Sequence, residues 1–216
     1  MAQLTVDSRV LWGVGSPRTM RAHWALHELD IPYETQPILS RSGETQTPQY
    51  SQINPRQKIP LLQDGDFTIS ESCAIVSYLA ETYGKRHRPL IPVDGRQRAR
   101  LHEWNYFVSM ELDATALYPM RRHSLLKHIY GDAPAAVESS KAYFLKQLDH
   151  VEQTLQASGH FLMGEDFTIA DILLTTCLTW AAALEVPVHD NCRAYLERVM
   201  ARTAYQTALA ANQRRS

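Results

Sequence analysis

Disulfide chemistry has little to work with here: the 216 residues contain three cysteines, Cys73, Cys177 and Cys192. None pairs as C-x-x-C, and an odd count leaves a thiol over in any scheme, which fits a reducing cytosol better than a secreted scaffold. Charge of one sign is also lacking. With 22 Lys+Arg against 23 Asp+Glu and a formal net charge of -1, no global basic field exists to hold a phosphate backbone, so no nucleic-acid partner is expected. Long apolar runs are missing too. The best candidate, around Ile172–Leu184, is shorter than the ~18 residues of a membrane span and is dotted with threonine. The start, MAQLTVDSRVLWGVG, has neither the basic residues nor the apolar run of a signal peptide. No internal repeat or low-complexity tract interrupts the chain. Together these absences predict a cytoplasmic protein with no membrane segment.

What is present is enough for a core. A chain of this length, 44% hydrophobic and 21% charged, can bury one large core or two small ones without staples. The texture changes near residue 84. Before it, Val10-Leu11-Trp12 reads as a buried strand ending at Gly13 and Gly15. Ser16-Pro17 opens a helix, Ser suiting the N-cap and Pro the first helical position. Met20, Trp24, Ala25 and Leu29 give that helix an apolar face, and Asp30-Ile31-Pro32 ends it. Tyr33–Ile38 reads as a second strand, near a sheet edge because of Pro37. Ser40–Gln52 reads as a long loop or irregular helix. Leu61–Gln63 and Phe67–Ile69 flank the turn Asp64-Gly65-Asp66 as a hairpin, and a further helix begins at Ser70 and runs to about Gly84. The order strand, helix, strand, hairpin, helix predicts a small α/β sheet with helices packed on it.

Residues 85–95 (KRHRPLIPVDG) read as a polar, proline-bearing linker. Beyond them the period is helical: one helix over about Arg96–Tyr118, one over Ala135–Leu155, one starting at Thr168 and one over Asn191–Met200. Thr168 and Asp171 form the [ST]-x-x-[DE] capping box, with Phe167 and Ile172 as its hydrophobic staple. That is a structural device, to which no chemistry is assigned. The expected domains are therefore 1–84, α/β, and 96–216, all-α, joined by 85–95.

Four segments resemble the cytosolic glutathione transferases. Gly15-Ser16-Pro17-Arg18-Thr19-Met20-Arg21 is similar to the strand-to-helix turn that bears the activating hydroxyl in serine-type classes; its spacing is like that of the tau and zeta classes and of bacterial relatives. Asn54-Pro55-Arg56-Gln57-Lys58-Ile59-Pro60 resembles the N-P-x-x-[KQ]-[VI]-P segment before the third strand. Glu71-Ser72-x-Ala74-Ile75-x-x-Tyr78-Leu79 resembles the run opening the third helix. Phe167–Asp171 resembles the buried capping box of the family. The likeness spans Val10 to Ile172. It implies a thioredoxin-like domain followed by an all-helical domain, and an enzyme that takes glutathione as co-substrate with no metal or redox cofactor.

The resemblance assigns roles that the residue chemistry can support. A thiol titrating near ~8.5 must become a thiolate to attack an electrophile. A helix N-terminus and a hydrogen-bond donor both favour the charged form. Ser16 is the expected thiolate stabiliser; an ordinary N-cap is its bland alternative, and Thr19 the rival hydroxyl. No cysteine precedes Cys73, so the mixed-disulfide chemistry of cysteine-type classes has no nucleophile at this turn. A cis Ile59–Pro60 bond is implied, with the Ile59 backbone pairing like a strand with the cysteinyl part of glutathione. Lys58 would reach the glycine carboxylate, Ser72 the γ-glutamyl carboxylate at a helix N-terminus, and Glu71 the α-ammonium. Tyr106, Met110 and Tyr118 could line an electrophile pocket, and Arg18, Arg121 and Arg122 could instead favour acidic co-substrates. A two-fold homodimer is implied by the family. In the loop 40–52, where the family often adds a glutathione contact, Arg41, Gln46 and Gln49 offer no clear match.

Two constellations read as packing. His23 and His27 stand four apart without a third ligand of suitable spacing, and Cys73 reads as a small buried hydrophobe. Two further functions stay open at this point. One is a glutathione-dependent peroxidase, disulfide reductase or ether-cleaving enzyme on the same scaffold. The other is a non-catalytic domain for ligand carriage or assembly.

Overall fold

A computed structural model of the chain describes residues 9–84 and 89–214. It divides into two compact units. The first takes the described residues of Met1–Arg88 together with those of Ala201–Ser216, and the second takes Pro89–Met200. Residues 85–88 of the expected linker lie outside the described residues.

The first unit is built on four strands, β1 (Arg9–Trp12), β2 (Glu34–Gln36), β3 (Leu61–Asp64) and β4 (Phe67–Ser70), in the order β2-β1-β3-β4. β1 and β2 are parallel, linked by helix α1 (Pro17–Glu28), and β2 occupies the edge that Pro37 predicts. β1–β3 and β3–β4 are antiparallel, the second pair closed by Gly65-Asp66 as a hairpin. Leu11 and Leu62 pair across the centre of the sheet and are fully buried. Against the sheet lie Ala22, Ala25 and Leu26 of α1, and Ile75, Val76 and Leu79 of α3 (Ser72–Tyr83), all buried. These are the apolar faces that the 3.6-residue period marks out. The thioredoxin-like α/β domain implied by the resemblance is present.

The second strand is shorter than the expected Tyr33–Ile38, and two further differences from the sequence reading bear on the site. The helix expected from Ser70 starts at Ser72, because Ile69 and Ser70 complete the ladder to Leu62 and Leu61. Glu71 then turns the chain with φ 73°. The segment 40–52, which reads as a long loop or irregular helix, forms a short 3₁₀ turn (Glu44–Gln46) and α2 (Pro48–Ile53). Thr47 caps α2, with the Tyr50 N–H donating to its hydroxyl at 3.3 Å.

The second unit is helical: α4 (Gly95–Phe107), α5 (Tyr118–His123), α6 (Lys127–Tyr130), α7 (Pro134–Ser158), α8 (Ile169–Ala183) and α9 (Asp190–Met200). The single helix expected over 96–118 is interrupted. Val108–Leu117 winds as a π-helix between α4 and α5, burying Val108, Leu112, Asp113, Ala116 and Leu117. Hydrophobic spacing cannot distinguish such an insertion, since the apolar stripe continues through it. Leu101, Phe144, Leu148, Val151 and Leu173 complete the core.

One more helix, α10 (Thr203–Ala211), belongs to the first unit and not to the helical one, although its sequence continues the helical texture. It runs antiparallel along α1. Arg202 forms a two-point ion pair with Glu28 at 2.7 Å each, Tyr205 meets Trp24 edge-on at 4.9 Å between ring centroids, and Asn212 reaches the start of α1.

Candidate active site

The register of the sheet assembles the site. Trp12 pairs with Leu61, and Leu61 pairs with Ser70. One row of three neighbouring strands therefore ends together, and the next residues of each are Gly13–Ser16, Lys58–Pro60 and Glu71–Ser72. Three of the four segments singled out in the sequence meet along this edge for that reason. At Gly13 (φ 110°) a Cβ would stand 2.6 Å from the Cβ of Ile59, so only glycine lets the first strand-end approach the second.

Ser16 is the N-cap of α1, extended at φ -139° and ψ 157°. Its Oγ accepts from the Thr19 N–H at 3.1 Å, and the Ser16 N–H donates to Thr19 Oγ1 at 3.0 Å, a reciprocal box. The two hydroxyls are 2.9 Å apart. Their exposure separates them. Thr19 is fully buried, and its hydroxyl is surrounded by the Ser16 carbonyl (2.9 Å) and the Asn212 Oδ1 (2.7 Å). Ser16 is half-buried. Of the two residues whose hydroxyls the sequence leaves as rivals, Ser16 is the one that keeps some exposure.

The Ile59–Pro60 peptide is cis. The carbonyl of Lys58 before it accepts two hydrogen bonds, from Tyr50 Oη (2.6 Å) and Asn54 Nδ2 (2.8 Å), while Asn54 Oδ1 accepts from the Arg56 N–H (3.1 Å). Asn54 thus folds the N-P-x-x segment around its own side chain. The Lys58 side chain is exposed. At the start of α3, Ser72 is buried and its Oγ accepts from the Arg21 guanidinium at 3.2 Å. Arg21 is itself only 2% exposed, so a buried positive charge lies behind a helix N-terminus. Glu71, on the surface, pairs with Arg56 at 2.5 Å, both side chains well exposed.

Arg21, Tyr50, Asn54 and Asn212 were not singled out as site residues. Asn54 lies inside the segment that carries the resemblance, and its turn chemistry was readable. Arg21 and Asn212 gave no local sign, since each acts on residues far along the chain.

Tyr106 and Met110 are exposed on the helical unit, and Tyr118 is half-buried at the start of α5 with Arg122 over its ring at 5.8 Å. A cavity of about 450 Å³ in that unit is lined by Trp104, Phe107, His150, Thr154 and Leu162 among others, and by none of these three. His23 is buried with both ring nitrogens engaged, Nδ1 on Tyr33 Oη (2.8 Å) and Nε2 on the Gly13 carbonyl (3.2 Å). Since a carbonyl can only accept, Nε2 carries the proton. Burial pushes its pKa down to about 4. Cys73 is half-buried rather than buried, on the rim of α3. Among the described residues no group of three or more His, Cys, Asp or Glu is arranged to hold a metal, and no helix is long and apolar enough to cross a membrane.

Residues 8–81 match the family model described as glutathione S-transferase, N-terminal domain, and residues 134–198 that of the glutathione S-transferase C-terminal domain. Glutathione S-transferase 3 of Zea mays is 32% identical over 203 residues, covering 91% of this chain and 90% of the relative. A crystal structure of a glutathione transferase from Methylococcus capsulatus is 30% identical with a TM-score of 0.80, covering 94% of this chain and 98% of that one. Ure2p in complex with glutathione shares the fold at a TM-score of 0.86 and 19% identity, over 96% of this chain and 95% of that one.

Proposed function

The chain belongs to the glutathione S-transferase family, and on that premise we propose that it activates the thiol of glutathione as a thiolate through Ser16. The thiolate attacks an electrophilic carbon of a small substrate, forming a C–S bond as the leaving group departs with its electron pair. The thiol proton passes to solvent. The observation that carries this reading is the half-buried Ser16 at the N-terminus of α1, beside a rival Thr19 that is fully buried. A hydroxyl donating to sulfur, with the positive end of a helix beside it, stabilises the anion relative to the thiol.

The grip on the tripeptide follows from the edge of the sheet. The backbone of Ile59, before Pro60, pairs with the cysteinyl unit, and Lys58 reaches the glycine carboxylate. Ser72 and the N-terminus of α3 take the γ-glutamyl carboxylate, with the Arg21 charge supporting them from behind. Glu71 takes the α-ammonium. Its present partner Arg56 does not prevent this, because an ion pair with both members 61% exposed is weakly held. Tyr106, Met110 and Tyr118 are proposed to contact the electrophile, no cofactor is proposed beyond the co-substrate, and assembly as a two-fold homodimer belongs to the same reading.

Ultraviolet titration of glutathione with the protein tests the proposal. Thiolate absorbance is expected to emerge well below the free thiol's ~8.5. In Ser16→Ala it should move back up by roughly one to two units, the worth of a hydrogen bond to a charged group. An unchanged titration in the variant would leave activation to the helix terminus alone. Failure to bind glutathione would remove the enzyme reading and favour ligand carriage or assembly.

A further inference from the structure

Helix α10 brings one side chain onto the turn that carries Ser16. Asn212, 9% exposed, lies 196 residues along the chain from Ser16. Its Oδ1 accepts from the Thr19 hydroxyl (2.7 Å) and the Gly15 N–H (3.2 Å), and its Nδ2 donates to the Ser16 carbonyl (3.2 Å). Its backbone carbonyl also accepts from the Gly15 N–H, at 2.8 Å. The amide has one orientation that satisfies this set: the oxygen must face the N–H and O–H donors and the nitrogen the carbonyl. The helix is also held further along, by Arg202 on Glu28 and Tyr205 on Trp24.

We propose that Asn212 is a positioning residue for the Ser16 hydroxyl, an inference that rests on Ser16 being the thiol activator. Two consequences follow from the geometry. First, Asn212 grips the N–H of Gly15 and the carbonyl of Ser16, the groups flanking the peptide between them. It thereby holds Ser16 in the extended conformation that presents its hydroxyl at the helix N-terminus. Second, it takes the Thr19 proton. Thr19 Oγ1 is then left with lone pairs for the Ser16 N–H and for the Ser16 hydroxyl in the absence of ligand, so the Ser16 proton stays poised as a donor. Without Asn212 the Thr19 proton can turn to the Ser16 carbonyl or to Ser16 Oγ, each 2.9 Å away, and in the second case the Ser16 hydroxyl becomes an acceptor; the Gly15–Ser16 peptide also loses its restraint. The chain therefore fixes its activating turn from a segment that pattern reading assigns to a different domain.

The test compares Asn212→Ala, Ser16→Ala and the double variant by three readouts. These are the thiol titration of bound glutathione, the pH profile of kcat/KM, and the glutathione Kd. Asn212→Ala is expected to raise the bound thiol pKa by about half to one unit, a three- to ten-fold loss of thiolate at pH values below it. The pH profile should move with it. The Kd for glutathione in the thiol form should change less than about two-fold, because the groups gripping both ends of the tripeptide are untouched; only hydrogen bonding of this order is lost. The double variant should titrate like Ser16→Ala alone, since Asn212 acts through Ser16. Thr19→Val keeps the side-chain volume and removes the hydroxyl linking the two residues. It carries the same expectation should Asn212→Ala fail to fold. A titration unmoved in Asn212→Ala while Ser16→Ala shifts would reduce Asn212 to a helix anchor, and additive shifts in the double variant would also overturn the inference. If Ser16→Ala itself leaves the titration unmoved, the thiol-activation reading has failed and the positioning role falls with it, a result distinct from the other two.

Discussion

The molecule contains the same helix-opening device twice, and the two copies have different fates. At α1 the box is Ser16 with Thr19; at α8 it is Thr168 with Asp171. In the second, every member is sealed. Asp171 is 0% and Thr168 1% exposed, and the carboxylate accepts from the N–H of Leu162 (3.0 Å), the N–H of Thr168 (2.8 Å), the Thr168 hydroxyl (3.0 Å) and Tyr195 Oη (3.0 Å). In the first, the inner residue is sealed and the outer residue is only half-buried. A capping box thus carries no chemistry by itself. What distinguishes a structural copy from a candidate catalytic one is whether one hydroxyl stays accessible, and which distant residue completes the hydrogen bonds of the other.

The largest difference should appear when each inner residue is deleted. Asp171→Ala strands buried donors at once, among them the N–H groups of Leu162 and Thr168. It should cost about 3–5 kcal/mol, or roughly 10 °C in thermal midpoint. A loss under about 1 kcal/mol would mean the α8 box is as dispensable as a surface cap.

Acid should separate the two regions next. His23, which holds the carbonyl of Gly13 at the start of the α1 turn, is kept neutral by burial, its pKa pushed down from 6.5 to about 4, with His27 adding a smaller push. The unfolded chain then binds the proton that the folded chain refuses. Stability contributed by the neutral ring is whole above pH 6.5 and is lost as pH falls towards about 4, to a total of about 3 kcal/mol. Burial pushes the Asp171 carboxyl the opposite way, up, against its own hydrogen bonds, so its contribution moves in the opposite sense: the folded state gains as pH falls through the raised value. Denaturant melts of His23→Gln between pH 7 and 4 should show a flatter acid arm than the parent; parallel curves would place the acid sensitivity elsewhere.

Thr19→Val is the counterpart of the Asp171 deletion at α1. It removes a neutral hydroxyl whose partners, the Asn212 amide and the Ser16 N–H, keep other bonds or gain access to water. A loss of about 1–2 kcal/mol is expected, readable as a shift in urea midpoint at constant m. A loss as large as that of Asp171→Ala would erase the contrast between the two boxes.

How much of this was legible follows from the range of each interaction. Ser16-Pro17, the hairpin turn and Thr168-x-x-Asp171 act within a few residues; the first and last stand where the sequence puts them, and the turn tightens to Gly65-Asp66 because Asp64 still pairs with Phe67. The edge where Ser16, Ile59 and Ser72 meet was reachable only through family likeness, because strand register, not local propensity, aligns Trp12, Leu61 and Ser70. Asn212 was out of reach. An asparagine after Ala-Ala at a helix end reads as an ordinary C-cap, and nothing nearby says that its amide faces Gly15 and Thr19. The π-helix at Val108–Leu117 was hidden for the opposite reason: the apolar period survives it.

The smallest effect on stability is expected where the effect on chemistry is largest. Ser16 Oγ accepts one backbone hydrogen bond and lies within reach of solvent, so water can replace it in Ser16→Ala. The loss should be near the low end for an N-cap, about 0.5–1 kcal/mol. Thr19 and Asn212 would still hold each other and the turn, through the bonds to Gly15 N–H and the Ser16 carbonyl. A hydroxyl proposed to act on a thiol is under no need to stabilise the fold, whereas the Asp171 carboxylate is enclosed by four donors of the core. The contrast is sharpest when both variants are measured in one urea series with glutathione present. Ser16→Ala should unfold near the parent midpoint while its bound thiol titrates higher. A Ser16→Ala midpoint displaced as far as that of Asp171→Ala would make Ser16 a structural cap like Thr168, and the accessible hydroxyl would lose its claim on the thiol.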